Sequence, residues 1–435
     1  MKSKLLGTIV ACLICSIGLN AQQLLRPEEA VAIGLKQNYA IKMAETDLKI
    51  AGNMSTPGNA GFLPTIQFAG GTSFQDNNIK QEFSNGLLVD KRSVGSSNLN
   101  AGIGLTWTLF DGSKMFVNWK KLNENENLSR HRLKISMENT IVGILNAYYD
   151  LVRINQEIKA MEFECKLAEQ VQLIAKVKME SGSGIRQQYL QAQVDQNTCA
   201  SAIMQLKLSR ENGKSKLNEL LSRELTDDFL VLDTIETSYE PSLPDLQNNL
   251  LSNNSRLLLE KTNKSLSALL VREQTSNLFP NIGLVSGFNY SKNRSEGGFA
   301  LFNQATGPSL GLRMNWNLYN GGMVNTNIKN ARLQLLNQDL SIKKTELMLS
   351  AELIMAYRKF KNTLELWALE KQNFNAAKEN LMLSGEIFKT GNSDILPVKE
   401  AERSYYEAIL RLTQSALDAK KSEIELMRLS GDLVK

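Results

Sequence analysis

From Ser113 to Ser181 the chain runs without a proline or any convincing helix breaker, and from Gly322 to Thr390 it does so again. At a rise of 1.5 Å per residue, an unbroken helix of about 70 residues is about 105 Å long. A globular domain has no use for such a rod, so a fold for this chain must lay long helices side by side. Within the first run Met137, Ile141, Ile144, Tyr148 and Leu151 step by four, three, four and three, the spacing of one buried seam along a helix.

Both rods are approached and left in the same way. Trp107-Thr108-Leu109-Phe110-Asp111-Gly112 leads into the first, and Trp316-Asn317-Leu318-Tyr319-Asn320-Gly321 into the second. At their far ends Ser181-Gly182-Ser183-Gly184 and Gly391-Asn392-Ser393 break the pattern, and return helices of about half the length follow, at 185–221 and 394–430. Trp107 with Trp316, Ala147-Tyr148 with Ala356-Tyr357, Gly182 with Gly391, Ala192 with Ala401 and Leu220 with Leu429 all share one offset. An offset kept through two rods is the mark of tandem duplication. The first repeat spans 22–222, a connector with two prolines and a short strand at Phe229-Leu230-Val231-Leu232 covers 223–244, and the second repeat covers 245–435.

Ahead of each rod lies a helix and then a β-hairpin. The first helix opens at Pro27-Glu28-Glu29 and runs to about Gly61; its counterpart covers Leu246 to Asn277. Laid end to end, each short first helix and a return helix match the length of a rod, which suggests a wall of helices. The first hairpin covers 65–110, with strands Thr65–Gln75 and Leu99–Leu109 around a polar loop Asp76–Ser97. The second covers 281–319, with a polar loop Ser291–Gly307. Leu99, Ala101, Ile103, Leu105 and Trp107 share one parity, and Asn100, Gly102, Gly104, Thr106 and Thr108 the other. Leu310, Leu312, Met314, Trp316 and Leu318 likewise alternate with Ser309, Gly311, Arg313, Asn315 and Asn317. Opposite parities are opposite faces of a strand, so this is either one wall of a soluble sandwich or a membrane strand with lipid on one side and water on the other. Small, uncharged polar residues suit a crowded lumen better than an open wet face, which usually carries charge.

The chain's origin favours the membrane. Lys2 and Lys4 precede an apolar run Leu5–Leu19, and Leu19-Asn20-Ala21 offers a signal-peptidase site, so residues 1–21 read as an export signal. Ile9-Val10-Ala11-Cys12 resembles a lipoprotein site, but the apolar run ahead of Cys12 is short for one. No later stretch is long and apolar enough for a membrane helix, which leaves an exported chain soluble or in a barrel. A bare strand edge in hydrocarbon costs several kcal/mol per unpaired group, so four strands per chain require several chains to share one barrel. The formal net charge of +5 comes without any basic run, which excludes a nucleic-acid partner. Cys165 and Cys199 lie equally far from Gly182 and either bridge two adjacent helices or sit as two small residues on separate faces.

The duplicated hairpin-plus-rod layout, the Leu-Phe-Asp-Gly and Leu-Tyr-Asn-Gly junctions and the two Gly-containing helical turns resemble the TolC family of outer-membrane efflux proteins. The resemblance covers essentially the whole chain beyond the signal. It implies a mainly α fold with membrane β: four barrel strands per chain plus long periplasmic helices, and an oligomeric β-barrel continued by an α-helical barrel. It further implies a homotrimer in outer-membrane lipid, working as the exit duct of a tripartite efflux or type I secretion system. A periplasmic adaptor and an inner-membrane transporter are the expected partners. Adaptors of this family engage the helical turns, which places contacts at Gly182, Gly184 and Arg186 and at Gly391 and Ser393. The family's periplasmic aperture corresponds to Pro397 and Glu400, of which only Glu400 is acidic; Asp394 stands one turn earlier, where it either joins the ring or caps the return helix.

On the strands, Arg313, Asn315 and Asn317 carry lumen parity, because a cation facing lipid near mid-bilayer costs about 2–4 kcal/mol. Trp107 and Trp316 either sit at the membrane interface or pack against the helical collar. A non-channel scaffold or adhesin is the alternative to a duct. No cofactor and no catalytic group is expected: His131, the only histidine, sits in a charged helical stretch, and there is no phosphate loop, Cys-x-x-Cys or serine elbow.

Overall fold

The computed structural model describes residues 23–297, 300–389 and 395–434. The signal segment 1–21, with Cys12, lies outside the described residues. The chain divides into two compact units: one within Met1–Glu45, Arg132–Leu258 and Thr345–Lys435, the other Thr46–His131 and Leu259–Lys344. The elements in order are β1 (Gln23–Leu25), α1 (Pro27–Gln37), α2 (Tyr39–Met54), α3 (Pro57–Ala60), β2 (Thr65–Glu82), β3 (Leu88–Phe110), α4 (Lys114–Glu180) and α5 (Arg186–Leu221). The second repeat follows with β4 (Phe229–Val231), α6 (Leu243–Asn253), α7 (Ser255–Ser276), β5 (Asn281–Ser295), β6 (Phe302–Asn315), α8 (Met323–Lys389) and α9 (Ile395–Ser430). α4 and α8 have 67 residues each, the two rods read from the sequence.

The second unit is built on one antiparallel sheet in the order β2-β3-β5-β6. Residues directly opposite in an antiparallel pair share a face. Ile66 faces Leu105, Phe68 faces Ile103, Ile103 faces Phe288, Trp107 faces Leu284, Leu284 faces Leu312 and Ile282 faces Met314. The apolar parities of all four strands therefore merge into one continuous apolar face. On the other face Gln67, Gly104, Gly287 and Ser309 form a row, as do Gly102, Asn289 and Gly307. In the isolated chain the apolar face has no cover: Phe68 is 74% and Leu312 73% exposed. β2 and β6 are the edges.

The sheet is taller than the sequence pattern indicated. The polar stretch Asp76–Ser97, read as a loop, is mostly strand: β2 and β3 stay paired out to Glu82 and Leu88, past a bulge between Asn77 and Ile79. The Ser93 N–H donates to Asn78 Oδ1 (2.9 Å) and its hydroxyl to Asp76 Oδ2 (2.7 Å) across the pair. Alternation reveals a strand only where one face meets an apolar phase, and this ribbon is wet on both sides. The stretch Ser291–Gly307 differs for the same reason, with only 296–301 outside β5 and β6.

The first unit packs helices around a core of Leu25, Ala30, Ile144, Tyr148, Leu151, Leu217, Leu221 and Leu417, with the parallel pair β1-β4 against it. The predicted α4 seam is buried here: Ile141, Ile144, Tyr148 and Leu151 are each at most 4% exposed. The Tyr148 hydroxyl donates to the Leu25 carbonyl (2.8 Å) and accepts from the Leu232 N–H (3.0 Å), so one buried side chain ties both strands to α4.

Each helix read as continuous ahead of a hairpin is broken, at Asn38 in the first repeat and at Asn254 in the second. The Asn38 amide donates to the Leu220 carbonyl (2.8 Å) and its Oδ1 accepts from the Ala40 N–H (2.8 Å). The Asn254 amide donates to Leu429 (3.0 Å) and its Oδ1 accepts from Arg256 and Leu257 (3.0 and 3.1 Å). One side chain thus caps the next helix and satisfies a carbonyl at the end of a return helix. Asparagine is a weak breaker in sequence, so this role emerges only when the return helix is beside it.

Cys165 and Cys199 form a disulfide between α4 and α5, with Cα atoms 5.6 Å apart. This decides the open alternative in favour of a bridge and against separate faces. The equivalent positions of the second repeat hold Phe374 and Ala408, so the α8-α9 hairpin has no such staple.

Candidate functional site

The sheet sorts the strand residues singled out from sequence. Arg313 lies opposite Gly283 and Asn315 opposite Asn281, both on the face of small and polar residues. That face is hollowed between Thr65, Gln67, Asn100, Gly104 and Asn289. Arg313 is exposed and makes no ion pair among the described residues. Asn317 falls beyond the end of β6 at Asn315 and belongs to no strand, because β5, against which β6 pairs, starts only at Asn281.

The two tryptophans perform one task twice. Trp107 donates its indole N–H to the Phe62 carbonyl (2.8 Å) and Trp316 to the Leu278 carbonyl (3.1 Å), so each hairpin's last turn is stitched to the segment that leads into its first strand. Their rings stay 39% and 51% exposed, leaving their apolar surface available to lipid or to another chain. Just beyond, the strand-to-helix junctions turn on glycine: Gly112 has φ +69° and Gly321 φ +66°, where a side chain is disfavoured. Asp111 Oδ2 accepts from the Met115 N–H (2.9 Å), capping α4.

At the α4-α5 turn the two glycines differ in their reasons. Gly182 has φ +74°, with open space around it. A Cβ on Gly184 would stand 2.9 Å from the Lys178 Cβ. The Lys178 carbonyl accepts the N–H groups of Ser183 (3.0 Å) and Gly184 (2.8 Å) and the hydroxyl of Ser181 (3.1 Å), which finishes α4 without a bulky residue. Arg186 opens α5 and is exposed, and Val177 and Ile185 on either side of the turn are more than half exposed. The turn therefore offers small residues framed by apolar side chains. Gly391, Ser393 and Asp394 lie outside the described residues.

Pro397 and Glu400 occupy exposed positions near the start of α9. Between them Lys399 reaches Asp195 on α5 at 3.3 Å, so this end of α9 is ion-paired to the first repeat. A further group lies beside them. Glu164, Asp195, Thr198, Lys399 and Glu402 line a cavity of about 340 Å³ next to Cys199. Glu164 Oε2 is shielded from solvent without a hydrogen-bond partner. Burial pushes the Glu402 carboxyl up to about 7, against the pull of Lys399 and with repulsion from Glu164. Burial also raises Glu164, with Glu407 adding to it. A signal was present: Lys399, Glu402 and Arg403 form a charged stripe next to Ala401, which is only 2% exposed.

Residues 33–223 and 246–432 match the outer membrane efflux protein family, one match per repeat. The outer membrane efflux protein BepC of Brucella suis biovar 1 is 20% identical over 345 residues, covering 79% of this chain and 73% of that protein. The outer membrane protein TolC of Salmonella enteritidis is 21% identical over 383 residues, covering 81% and 72%. Among solved structures, the Campylobacter jejuni CmeC outer membrane channel superposes with a TM-score of 0.78 at 15% identity, covering 93% of this chain and 85% of that one.

Proposed function

Because this chain belongs to the outer membrane efflux protein family, we propose that three copies close their sheets into one twelve-stranded barrel that acts as an exit duct. The protein is an outer-membrane efflux channel; its assembly, partners and working residues are the proposal. The observation that carries it is the four-stranded sheet with an apolar face on which residues such as Phe68, Phe288, Leu310 and Leu312 are exposed, a face of small and polar residues behind it, and two bare edges. Such a sheet is unstable in water because of one face and in lipid because of its edges. Pairing β6 of one copy with β2 of the next removes both problems and turns the glycine, asparagine and serine rows inward, with Arg313 and Asn315 lining the water-filled bore.

In this reading a periplasmic adaptor docks at the turn around Gly182, Gly184 and Arg186, where side chains are small and Val177 and Ile185 supply apolar grip. Glu400 contributes one carboxylate per chain to the aperture, and such a ring favours cations. An inner-membrane transporter supplies energy and selects cargo, and this chain contributes a passive path with no catalytic step. Purified protein in planar bilayers tests the proposal. It should run as an oligomer resistant to SDS and conduct ions, with Glu400→Gln reducing cation preference. A protein extracted by carbonate that conducts nothing would instead be a scaffold.

A further inference from the structure

Next to the sheet, the start of α4 and the end of α7 flank an open cavity of about 350 Å³. It is lined on one side by Ser113, just ahead of α4, with Phe116 and Lys120 of α4, and on the other by Arg272 and Ser276 of α7 with Phe279, three residues beyond that helix. The helices run antiparallel here, so the two rings sit near the sheet and the two cations lie deeper. Lys120 is eight residues past Gly112 and Arg272 seven before Phe279, which puts both about 10–12 Å below the strand ends.

The charges are not balanced by the protein. The neighbouring cations Lys114 and Lys121 both pair with Glu273, at 3.8 and 2.6 Å. Lys120 and Arg272 make no ion pair among the described residues and are exposed. Phe116 and Phe279 are 56% and 53% exposed although they flank a polar helix pair. Ser113 adds a hydroxyl held at φ +71°, where the matching residue of the second repeat is Gly322 at φ +79°.

We propose that this cavity binds the phosphodiester headgroup of an anionic phospholipid of the outer membrane's inner leaflet. The lipid's glycerol and first methylenes lie against Phe116 and Phe279, and its phosphate meets Lys120 and Arg272. The order of rings towards the membrane and cations away from it matches the order of groups along such a lipid. Arginine supplies a planar fork suited to phosphate oxygens, and lysine a second point charge. Above it, where the strands end, Phe110 and Ile282 stand opposite one another on the sheet's apolar side. The second repeat has no equivalent, since Asn325 stands where the first has Phe116, giving one site per chain.

The test is native mass spectrometry of the purified oligomer released from nanodiscs of phosphatidylglycerol in phosphatidylcholine. The unsubstituted protein should retain one phosphatidylglycerol per chain. Lys120→Gln with Arg272→Gln should lower that occupancy about tenfold or more while the oligomer stays resistant to SDS. Lys80→Gln, which removes a cation at an exposed position on the β2-β3 ribbon, should leave it unaltered. Equal retention in the double variant and the Lys80→Gln control would overturn the site. Release of the lipid by millimolar inorganic phosphate would overturn the lipid assignment in favour of a free-anion site.

Discussion

Opening the Cys165–Cys199 bridge perturbs one hairpin of a duplicated pair and leaves the other as an internal reference. The bridge closes a loop of sequence separation 34. Chain-entropy reasoning for a loop of that length gives about 3.8 kcal/mol at 25 °C, an upper value because reduced hairpins keep some structure. At 1.4 kcal/mol per tenfold, local opening of α4 and α5 near the turn should become up to about 500 times more frequent. Hydrogen exchange with mass spectrometry, on the oxidised protein and on the double variant Cys165→Ser with Cys199→Ser, reads this directly. Protection should fall in peptides between 165 and 199. Peptides of α8 and α9 around Phe374 and Ala408, the matching positions without a bridge, should not change. Unchanged protection between 165 and 199, or an equal loss in both hairpins, would refute a local staple and point to a global role or to no bridge at all.

Burial raises Glu402 to about 7, so the folded chain holds a proton that the unfolded chain, at an ordinary carboxylate value, releases. The stabilisation is fully present below the ordinary carboxylate value of 4.5 and is lost as pH rises from there to about 7; hydrogen exchange in α9 near Glu402 should quicken across that range after correction for intrinsic rates, and Glu402→Gln should abolish that dependence. Gly112→Ala and Gly321→Ala share the strain of positive φ, about 1–2 kcal/mol, but a Cβ at Gly112 also meets the Ser276 carbonyl and stands 2.9 Å from the Phe279 Cβ, whereas Gly321 has open space. Dissociation temperatures of the SDS-resistant oligomer should fall further for Gly112→Ala. Asn254→Ala removes a helix cap and leaves the Leu429 carbonyl buried and unpaired, a loss of about 2–4 kcal/mol, which denaturant titration followed by tryptophan fluorescence should show; no loss would refute the bridging role.

What could be read from the residues was what repeats or alternates. The duplication, the rods, the Tyr148 seam and the turn at Gly182 all follow from spacing, because a helix must place a seam every three or four residues and a chain must reverse somewhere. The strand ribbon between Asp76 and Ser97 was not legible, since without an apolar phase on one side a strand shows no alternation. Asn38 and Asn254 were invisible for a different reason: their amides serve carbonyls 182 and 175 residues away, and only the packed return helices explain them. The disulfide depended on a helix separation that spacing alone does not give. Glu402, two residues beyond Glu400, was not legible because its chemistry comes from burial rather than from position in a motif.

In the proposed barrel the sheet divides lipid from water. Single-cysteine substitutions along β6, at Ser309, Leu310, Gly311, Leu312, Arg313 and Met314 in turn, labelled in reconstituted vesicles, measure it residue by residue. In a background without Cys165 and Cys199, a spin label at 310, 312 and 314 should be relaxed by oxygen dissolved in lipid. At 309, 311 and 313 it should be relaxed by a water-soluble nickel chelate. Alternation of that phase along the strand is the predicted result; equal access to the water-soluble reagent at all six positions would contradict a membrane barrel.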